Sequence, residues 1–261
     1  MKNKKYVVIT GASSGIGRSM AKAFAGRGFN VVVVARRVSL LQQLKDEIVE
    51  VNSKIDVIIK SADLSVPENA ILLYNSLAEI DIQVWINNAG IGYYGEVSEQ
   101  PIDELNHLLN LNINSLTILS SLFVRDYHHI DNSQLINISS AGGYTIVPTA
   151  ITYCASKFFV NVFTEGLAKE LLASDAKLSA KVLAPAATKT EFGQVANRIE
   201  HYDYDASFGT YHTSDELAEF ALKLFDSDNI VGFVDRESFS FEQCDGKIPY
   251  ANNNKFNQKV P

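Results

Sequence analysis

Short, continuous apolar runs recur along this chain, separated by segments whose apolar residues repeat with helical spacing. The runs cover residues 6–10, 30–35, 57–61, 84–86, 134–139 and 180–184. Runs of this length that do not alternate with polar residues are typical of strands buried on both faces. The helical segments between the first four runs cover residues 15–28, 38–51 and 67–79. Strands that alternate with helices form right-handed βαβ units, so this order predicts an α/β fold with a doubly wound parallel sheet.

The chain is long and apolar enough for one sizeable core. Of its 261 residues, 46% are hydrophobic and 20% are charged, a composition typical of globular rather than disordered proteins. We predict a single domain over residues 1–261, since α/β folds of this length are often undivided. The polar, tyrosine-rich stretch 192–212 lacks helical periodicity and is predicted to be a substrate loop that is mobile without ligand. Residues 251–261 are predicted to form a flexible tail.

Charge and cysteine content disfavour several kinds of partner and location. The formal net charge is −7 at pH 7, and nucleic acids and anionic membranes attract basic proteins, so neither is an expected partner. The two cysteines, Cys154 and Cys244, form no CxxC pair, which favours a reducing compartment. No apolar run approaches the roughly 20 residues of a membrane span or forms the core of a signal peptide. We therefore expect a cytoplasmic protein.

A glycine-rich turn follows the first predicted strand, in the sequence TGASSGIGRS. It places Gly11, Gly15 and Gly17 between that strand and a helix. Glycine tolerates positive φ and lets the backbone approach a phosphate closely. The start of a helix attracts anions through its free N–H groups and its dipole. A strand, such a turn and a helix at the start of a βαβ series predict a Rossmann-like dinucleotide site.

The end of the second predicted strand, VVVVARR, bears on the choice of dinucleotide. An acidic residue here would bind the ribose 2′-hydroxyl of NAD, but the chain has Ala35 followed by Arg36 and Arg37. A guanidinium can bind a 2′-phosphate through two hydrogen bonds and stack on adenine. The sequence therefore favours NADP(H) over NAD(H), with Arg36 as the stronger candidate. A solvated loop position is the alternative for each arginine, and for Arg37 the two interpretations are nearly balanced.

A tyrosine and a lysine four residues apart, in YCASK, would lie on one face of a helix. Alone, Tyr153 and Lys157 are better explained as the polar edge of an amphipathic helix. Further short motifs accompany them in order: TGASSGIG, AD at 62–63, NNAG at 87–90 and NISS at 137–140. Over roughly residues 5–190 the chain thereby resembles the short-chain dehydrogenase/reductase family. The resemblance implies one Rossmann-like domain with about seven parallel strands, and an oxidoreductase that acts on carbonyls or alcohols.

Carbonyl reduction needs a proton donor, a role that the tyrosine and the lysine could fill together. Hydride transfer leaves an alkoxide that needs a proton, but a free tyrosine has a pKa near 10, a poor match to neutral pH. The Lys157 cation would lower the pKa of Tyr153, which we predict to be the general acid in reduction and the general base in oxidation. Ser140, thirteen residues earlier at a strand end, is predicted to donate to the substrate oxygen. Ser139 is the weaker alternative.

The resemblance assigns further residues to catalysis and to the cofactor. It implies that Lys157 also binds the nicotinamide ribose, and that Asn112 in LNLNINS, rather than Asn114, supports a water relay to that lysine. It implies that Asp63 contacts the adenine and that Thr188 lies near the nicotinamide amide. The complete predicted cofactor set is Gly11, Ser13, Ser14, Gly15, Ile16, Gly17, Arg36, Arg37, Asp63, Leu64, Asn88, Ala89, Gly90, Tyr153, Lys157, Pro185, Thr188 and Thr190.

The chain departs from the family pattern in two places. Pro185 is followed by Ala186 where the family usually has glycine, and alanine resists positive φ, so this turn is expected to differ slightly. The sequence IVGFVDRESFSFEQC lacks the glycine pair of many members, which disfavours the acyl-carrier-protein ketoreductase branch. Two other functions are compatible with the motifs: a sensor of NADP(H), and a structural subunit without turnover. An intact set of serine, tyrosine and lysine argues against the sensor, while the structural subunit stays an alternative.

The remaining features concern metals and assembly. The five histidines show neither HxxxH nor HExxH spacing, so no metal site is predicted. The segments 103–127 and 153–172 carry apolar residues around most of their helical circumference, more than one sheet face can cover. We predict a homodimer, or a homotetramer of such dimers, that pairs through these helices, as family members often do. Tyr202, Tyr204 and Tyr211 remain open between a surface lid and a substrate pocket.

Overall fold

A computed structural model describes residues 5–251, which form an eight-stranded sheet with helices on both faces. The strands of this sheet are β1 (Tyr6–Thr10), β2 (Asn30–Ala35), β3 (Val57–Ser61), β4 (Ile82–Asn87), β5 (Gln134–Ile138), β6 (Ser179–Ala184), β9 (Val231–Val234) and β10 (Phe241–Cys244). A separate short pair is formed by β7 (Thr188–Lys189) and β8 (His212–Thr213). The order across the large sheet is β10-β9-β6-β5-β4-β1-β2-β3. Of the predicted flexible tail, residues 252–261 lie outside the described residues.

The predicted doubly wound, Rossmann-like fold is confirmed, with one strand more than the seven expected. Seven strands pair in parallel, whereas β10 is antiparallel to β9 at the edge of the sheet. The extra strand arises because the chain turns back after β9 through a short loop, residues 235–240. The Asp235 carboxylate holds this loop by accepting hydrogen bonds from the N–H groups of Glu237 and Ser238, at 3.0 and 2.8 Å.

Helices cover both faces of the sheet. They are α1 (Gly15–Gly26), α2 (Val38–Val51), α3 (Pro67–Asn75), α4 (Ile102–Leu109), α5 (Leu116–Tyr127), α6 (Ile151–Ala173), α7 (Phe192–Asn197), α8 (Tyr204–Phe208) and α9 (Ser214–Asp226). Successive residues of β1 enter opposite cores: Val7 packs in the same cluster as Phe24 of α1, and Val8 in that of Phe123 of α5. All four side chains are completely buried, which explains why the strand sequences are continuously apolar.

The segment predicted as one helix over 103–127 contains an irregular turn. It runs from Ile102 to Tyr127, but one π-helical turn, Asn110–Ser115, separates α4 from α5. Among residues 5–251, this is the one helix long and apolar enough to cross a membrane, with a mean hydropathy of 1.2. It packs against α3 and the sheet strands β4 and β5, as the core helix of an α/β protein does.

Residues 192–212 are more regular than predicted, because they contain α7 and α8. Tyr204 is buried in the middle of this segment. Its hydroxyl accepts a hydrogen bond from the N–H of Gly193 at 3.1 Å and donates to the carbonyl oxygen of Thr190 at 3.2 Å. The rings that surround it, at centroid distances of 4.9–5.8 Å, are Tyr202, Phe208 and Tyr211. These short helices are accompanied by aromatic packing. The sequence therefore shows no amphipathic repeat that would have predicted them.

A buried glutamate fastens the last described part of the chain to α6. Glu165 is 4% exposed, and its carboxylate accepts hydrogen bonds from the N–H groups of Lys247 and Ile248 at 2.7 and 2.8 Å. The same carboxylate accepts a hydrogen bond from the hydroxyl of Tyr144 at 2.5 Å. The segment that follows β10 is therefore held against α6, close to the loop that follows β5.

Candidate active site

A cavity of about 670 Å³ lies along the carboxyl ends of the parallel strands. The segments that follow β1, β2, β4, β5 and β6 line it, and this edge is where doubly wound sheets bind their ligands. The predicted catalytic and cofactor-binding residues all line the cavity except Gly17 and Asn112. The topology thus brings together motifs that lie far apart in the sequence.

Two glycines of the turn after β1 adopt backbone conformations that other residues disfavour. Gly11 and Gly15 have φ values of +68° and +55°, in the left-handed region that side chains disfavour. A Cβ on Gly11 would lie 2.8 Å from the Cα of Ala89, and a Cβ on Gly17 would lie 2.5 Å from the carbonyl oxygen of Gly11. Gly17 therefore allows α1 to pack closely on the turn. It does not itself line the cavity, although the sequence placed it in the predicted cofactor-binding set.

The turn after β4 is joined to the glycine-rich turn by Asn88. The Asn88 side-chain amide donates to the carbonyl oxygen of Thr10 at 2.9 Å. In return, the Thr10 hydroxyl accepts hydrogen bonds from the N–H groups of Asn88 and Ala89, both at 3.0 Å. These bonds fix the relative positions of the two loops on which a dinucleotide would rest.

The two arginines after β2 both line the cavity but have different partners. The guanidinium of Arg36 lies 3.8 Å from the carboxylate of Asp63. Arg37 reaches over the glycine-rich turn, where it donates to the hydroxyl of Ser13 at 3.1 Å and to the carboxylate of Glu191 at 2.7 Å. The hydrogen bond from Arg37 holds the pKa of Glu191 below its ordinary value. No sequence pattern singled out Glu191, which lies 154 residues from Arg37.

Ser140, Tyr153 and Lys157 converge on the cavity from the end of β5 and from α6. Tyr153 and Lys157 are 8% and 5% exposed, and Nζ of Lys157 lies 5.9 Å from the centre of the tyrosine ring. Nζ donates a hydrogen bond to the carbonyl oxygen of Ile138 at 2.9 Å. The Ser140 hydroxyl accepts one from the N–H of Gly142 at 3.0 Å. Ser140 is therefore both the cap of a short turn and a cavity-lining hydroxyl.

Burial sets the proton affinities of the tyrosine and the lysine. It raises the pKa of Tyr153 above the ordinary value, and a hydrogen bond with Ser140 only partly opposes that rise. Burial is the largest influence on the pKa of Tyr153, and the lowering of this pKa by the Lys157 cation stays a prediction. Burial also lowers the pKa of Lys157 to about 8, so the lysine still carries its charge at pH 7.

The π-helical turn brings Asn112 next to the lysine. Asn112 is completely buried, donates a hydrogen bond to the carbonyl oxygen of Ile91 at 2.9 Å and accepts one from the N–H of Ile91 at 3.0 Å. A Cβ on Gly90 would lie 3.2 Å from Oδ1 of Asn112 and 3.4 Å from Nζ of Lys157, so both groups flank Gly90. Asn114, the alternative in the sequence, has its side-chain hydrogen bond on the exposed side of the turn.

Three residues after β6 that the sequence assigns to the cofactor also line the cavity. Pro185, Thr188 and Thr190 line it, and the Thr188 hydroxyl donates to the carbonyl oxygen of Ala186 at 3.0 Å. The Thr190 hydroxyl accepts a hydrogen bond from the N–H of Phe192 at 3.1 Å. Within residues 5–251, Ala186 is not among the non-glycine residues with positive φ, so its turn does not depend on a glycine.

Aromatic rings close the cavity beyond Tyr153. We call this surface the aromatic wall; it consists of Tyr94, Phe192, Tyr202, Tyr204, Phe208 and Phe239. The wall begins next to Tyr153, because the rings of Phe192 and Tyr153 are 5.3 Å apart. Of the three tyrosines that the sequence left open, Tyr202 and Tyr204 belong to the wall. Tyr211 lies outside the lining and donates a hydrogen bond to Asp205 at 2.8 Å.

These features fit a nicotinamide dinucleotide. Gly11 and Gly15 line the cavity with a backbone of positive φ that carries no side chain, while Arg36, Arg37 and Lys157 supply cations along the same cavity. A metal centre has no such support: the part of the chain that the structure describes contains no group of three or more histidine, cysteine, aspartate or glutamate side chains placed to hold an ion.

Comparisons with known proteins agree with this geometry. The model of the short chain dehydrogenase family matches residues 5–200. An uncharacterized oxidoreductase of Staphylococcus saprophyticus is 28% identical over 242 residues, which cover 90% of this chain and 96% of that protein. A short-chain dehydrogenase from Sphingobium yanoikuyae, solved with NADPH, is 32% identical with a TM-score of 0.80 over 88% of this chain and 87% of that chain. The bulky-bulky ketone specific alcohol dehydrogenase of Comamonas testosteroni is 28% identical, with a TM-score of 0.76 over 89% and 86%.

Proposed function

This chain belongs to the short-chain dehydrogenase family, and on that premise we propose that it is an NADP(H)-dependent oxidoreductase that reduces a ketone or aldehyde, or oxidises the corresponding alcohol. The observation that carries the proposal is the presence of Ser140, Tyr153 and Lys157 in the same cavity as the glycine-rich turn. A protein that only sensed the nucleotide would have no use for a proton donor at this position.

Four polar residues in or beside the cavity have roles in this chemistry. Bound NADPH would supply a hydride to the carbonyl carbon. The Ser140 hydroxyl donates a hydrogen bond to the carbonyl oxygen as negative charge develops there. Tyr153 gives that oxygen its phenolic proton, and its raised pKa keeps the phenol protonated at neutral pH, which suits reduction. The Lys157 cation stabilises the phenolate that remains, and Asn112 holds the backbone at Ile91 beside the lysine.

The surroundings of β2 support NADP(H) over NAD(H). Arg36 and Arg37 line the cavity just beyond the strand end, where Ala35 offers no carboxylate to a ribose 2′-hydroxyl. The 2′-phosphate is the group that distinguishes the two cofactors, and guanidinium groups are suited to bind it. The relative from Sphingobium yanoikuyae is in complex with NADPH.

Replacing the proton donor tests the proposal. Tyr153→Phe removes one hydroxyl, so we expect the turnover of a responsive aldehyde or ketone to fall about 10²–10⁴-fold while NADPH binding is nearly unchanged. A panel of aldehydes, ketones and quinones, followed by NADPH absorbance, would supply the substrate. Tyr250→Phe, at a tyrosine 53% exposed, is the control and should keep full activity. Near-normal turnover in Tyr153→Phe would show that another group is the acid.

We also propose that the protein is a cytoplasmic homodimer, or a tetramer of such dimers, that pairs through the helical segments 103–127 and 153–172. Phe159, Val162 and Leu172 of α6 support this assembly, since they are 37%, 51% and 66% exposed. A Cβ on Gly166, which shares a helix face with Phe159 and Val162, would touch nothing within 4 Å. Such a flat apolar stripe is suited to close packing against a second copy.

A further inference from the structure

Building on the proposed oxidoreductase function, we infer that Arg236 binds a carboxylate of the substrate, which is therefore a bulky, apolar ketone or alcohol with one acidic group remote from the reacting carbon. Arg236 and Phe239 belong to the loop 235–240 between β9 and β10, and both line the cavity. Because β9 lies next to β6 in the sheet, this loop stands beside the segment that follows Pro185, on the substrate side of the cavity.

Tyr94 lines the same cavity as Arg236 and Tyr153. Burial raises the pKa of Tyr94, and the Arg236 cation opposes that rise. After burial, Tyr94 is one of the groups that contribute to the raised pKa of Tyr153. Arg236 and Tyr153 line one cavity of about 670 Å³, so we expect a single small molecule to be able to contact both.

Among the described residues, Arg236 is the one arginine for which no carboxylate partner is found. All seven arginines lie within residues 5–251, and six of them have a carboxylate within 4.0 Å. The six pairs are Arg18–Glu47, Arg27–Asp226, Arg36–Asp63, Arg37–Glu191, Arg125–Asp126 and Arg198–Glu104. No such pair involves Arg236 in this part of the chain, and residues 1–4 and 252–261 contain no aspartate or glutamate.

The aspartate next to Arg236 in the sequence is engaged elsewhere. The neighbouring Asp235 is engaged by the turn: its carboxylate accepts hydrogen bonds from the N–H and the hydroxyl of Ser238 at 2.8 and 2.9 Å. These bonds lower the pKa of Asp235. Phe239 adopts a φ of +55°, a conformation that a bulky side chain holds only when its surroundings fix it. Its ring lies 5.9 Å from that of His212.

The aromatic wall and the Arg236 guanidinium together indicate the chemical class of the ligand. The aromatic wall offers large apolar contacts and would enclose a bulky hydrocarbon body, while the planar guanidinium matches the two oxygens of a carboxylate. One unpaired cation neutralises one negative charge, which favours a carboxylate over a phosphate dianion. A net charge of −7 repels anions in general, so an acidic ligand needs a local cation of this kind.

A matched pair of probes tests the inference. The acid is 4-oxo-4-phenylbutanoate, and its uncharged counterpart is the primary amide of the same skeleton. For the wild-type protein with NADPH, we expect kcat/KM to be at least about tenfold higher for the acid than for the amide. Arg236→Gln should reduce this preference to near one, mainly through the KM of the acid, and Arg236→Lys should restore part of it. Arg125→Gln, at an arginine paired outside the cavity, should leave both values unchanged.

An equilibrium measurement separates this inference from the proposed function. Calorimetric titration of the acid into Tyr153→Phe protein saturated with NADPH requires no turnover, and we expect binding that is at least about tenfold weaker when Arg236→Gln is added. That result would support the acid site even if neither probe were reduced. A failure to reduce either probe would count against the proposed reaction and not against the acid site. Equal binding of acid and amide, or an unchanged preference in Arg236→Gln, would overturn the acid site and leave the oxidoreductase proposal standing.

Discussion

Lys157 is the residue of the site whose charge changes closest to physiological pH. Its pKa is lowered to about 8 by burial, so the cation that stabilises the Tyr153 phenolate is lost as the pH rises through this value. We therefore predict that kcat/KM for ketone reduction is level between about pH 6 and 7 and has fallen by half near pH 8. Initial rates with saturating NADPH across this range would measure the profile.

The control for this profile keeps the charge at every pH. Lys157→Arg carries a guanidinium that stays protonated throughout the range, so its rate, although lower, should show no decline near pH 8. An identical decline in both proteins would assign the titration to a different group.

Arg36 is the residue predicted to discriminate between the two cofactors. A charge-assisted hydrogen bond contributes about 1.5–3 kcal/mol when it is partly desolvated, or roughly tenfold to a hundredfold in affinity. Because the Arg36 side chain is 59% exposed, we expect the lower end: Arg36→Ala should weaken NADPH binding about tenfold and leave NADH binding nearly unchanged. Fluorescence titration with both cofactors measures this. Equal affinities in the wild-type protein would refute the assignment.

At the scale of residues, the sequence was informative where a motif carries the chemistry within a few positions. Tyr153 and Lys157 are neighbours on one helix, and Ser140 follows a strand. Glu191 and Arg236 could not be found in this way, because their positions in the cavity depend on which strand ends the sheet brings together. The raised pKa of Tyr153 was also missed, since desolvation depends on the whole surrounding core.

At the scale of elements, a buried lysine in β6 supports the end of α9. Lys181 is 4% exposed, and its ammonium group donates hydrogen bonds to the carbonyl oxygens of Leu224, Phe225 and Ser227. Lys181→Met would leave these carbonyls without a donor, so we predict a loss of about 1–3 kcal/mol in the free energy of unfolding. Lys223→Met, at an exposed lysine of α9, should stay within about 0.5 kcal/mol of the wild type.

The pH dependence of this contribution has a definite sign. Burial lowers the pKa of Lys181 to about 8, below the value of roughly 10.4 in an unfolded chain. Between these values the unfolded state binds more protons, so the stability due to Lys181 rises with pH in this window. Urea unfolding at pH 7.5 and 9.5 should therefore show a larger difference between wild type and Lys181→Met at the higher pH. A difference that shrinks would contradict the lowered pKa.

The sequence predicts those strands that are buried on both faces of the sheet. Strands such as β1 and β2 contact apolar cores on both faces, so their sequences are continuously apolar and easy to recognise. The helices α7 and α8 were missed because the ring of Tyr204 and its neighbours, rather than an amphipathic repeat, accompany them. The antiparallel strand β10 was missed because its turn depends on the side chain of Asp235, a feature that no apolar pattern reports.

At the scale of the whole molecule, the exposed stripe on α6 should be covered by a second copy. We predict a dimer at micromolar concentration, and we expect Val162→Glu to shift the protein to the monomer because it places a charge in the apolar contact. The control is Val51→Glu, at a valine 87% exposed on α2, which should leave the mass unchanged. Light scattering measures both. A monomer mass for the wild-type protein would reject the dimer.

The buried carboxylate of Glu165 also constrains the order in which the protein can be completed during its synthesis. Its two backbone donors, Lys247 and Ile248, are 82 and 83 residues further along the chain. When α6 leaves the ribosome, the carboxylate has no such donors, and an unpaired charge is costly to bury. Tyr144 precedes α6 and can donate to the carboxylate earlier, so we expect the core around Glu165 to close fully only after the residues that follow β10 have been synthesised.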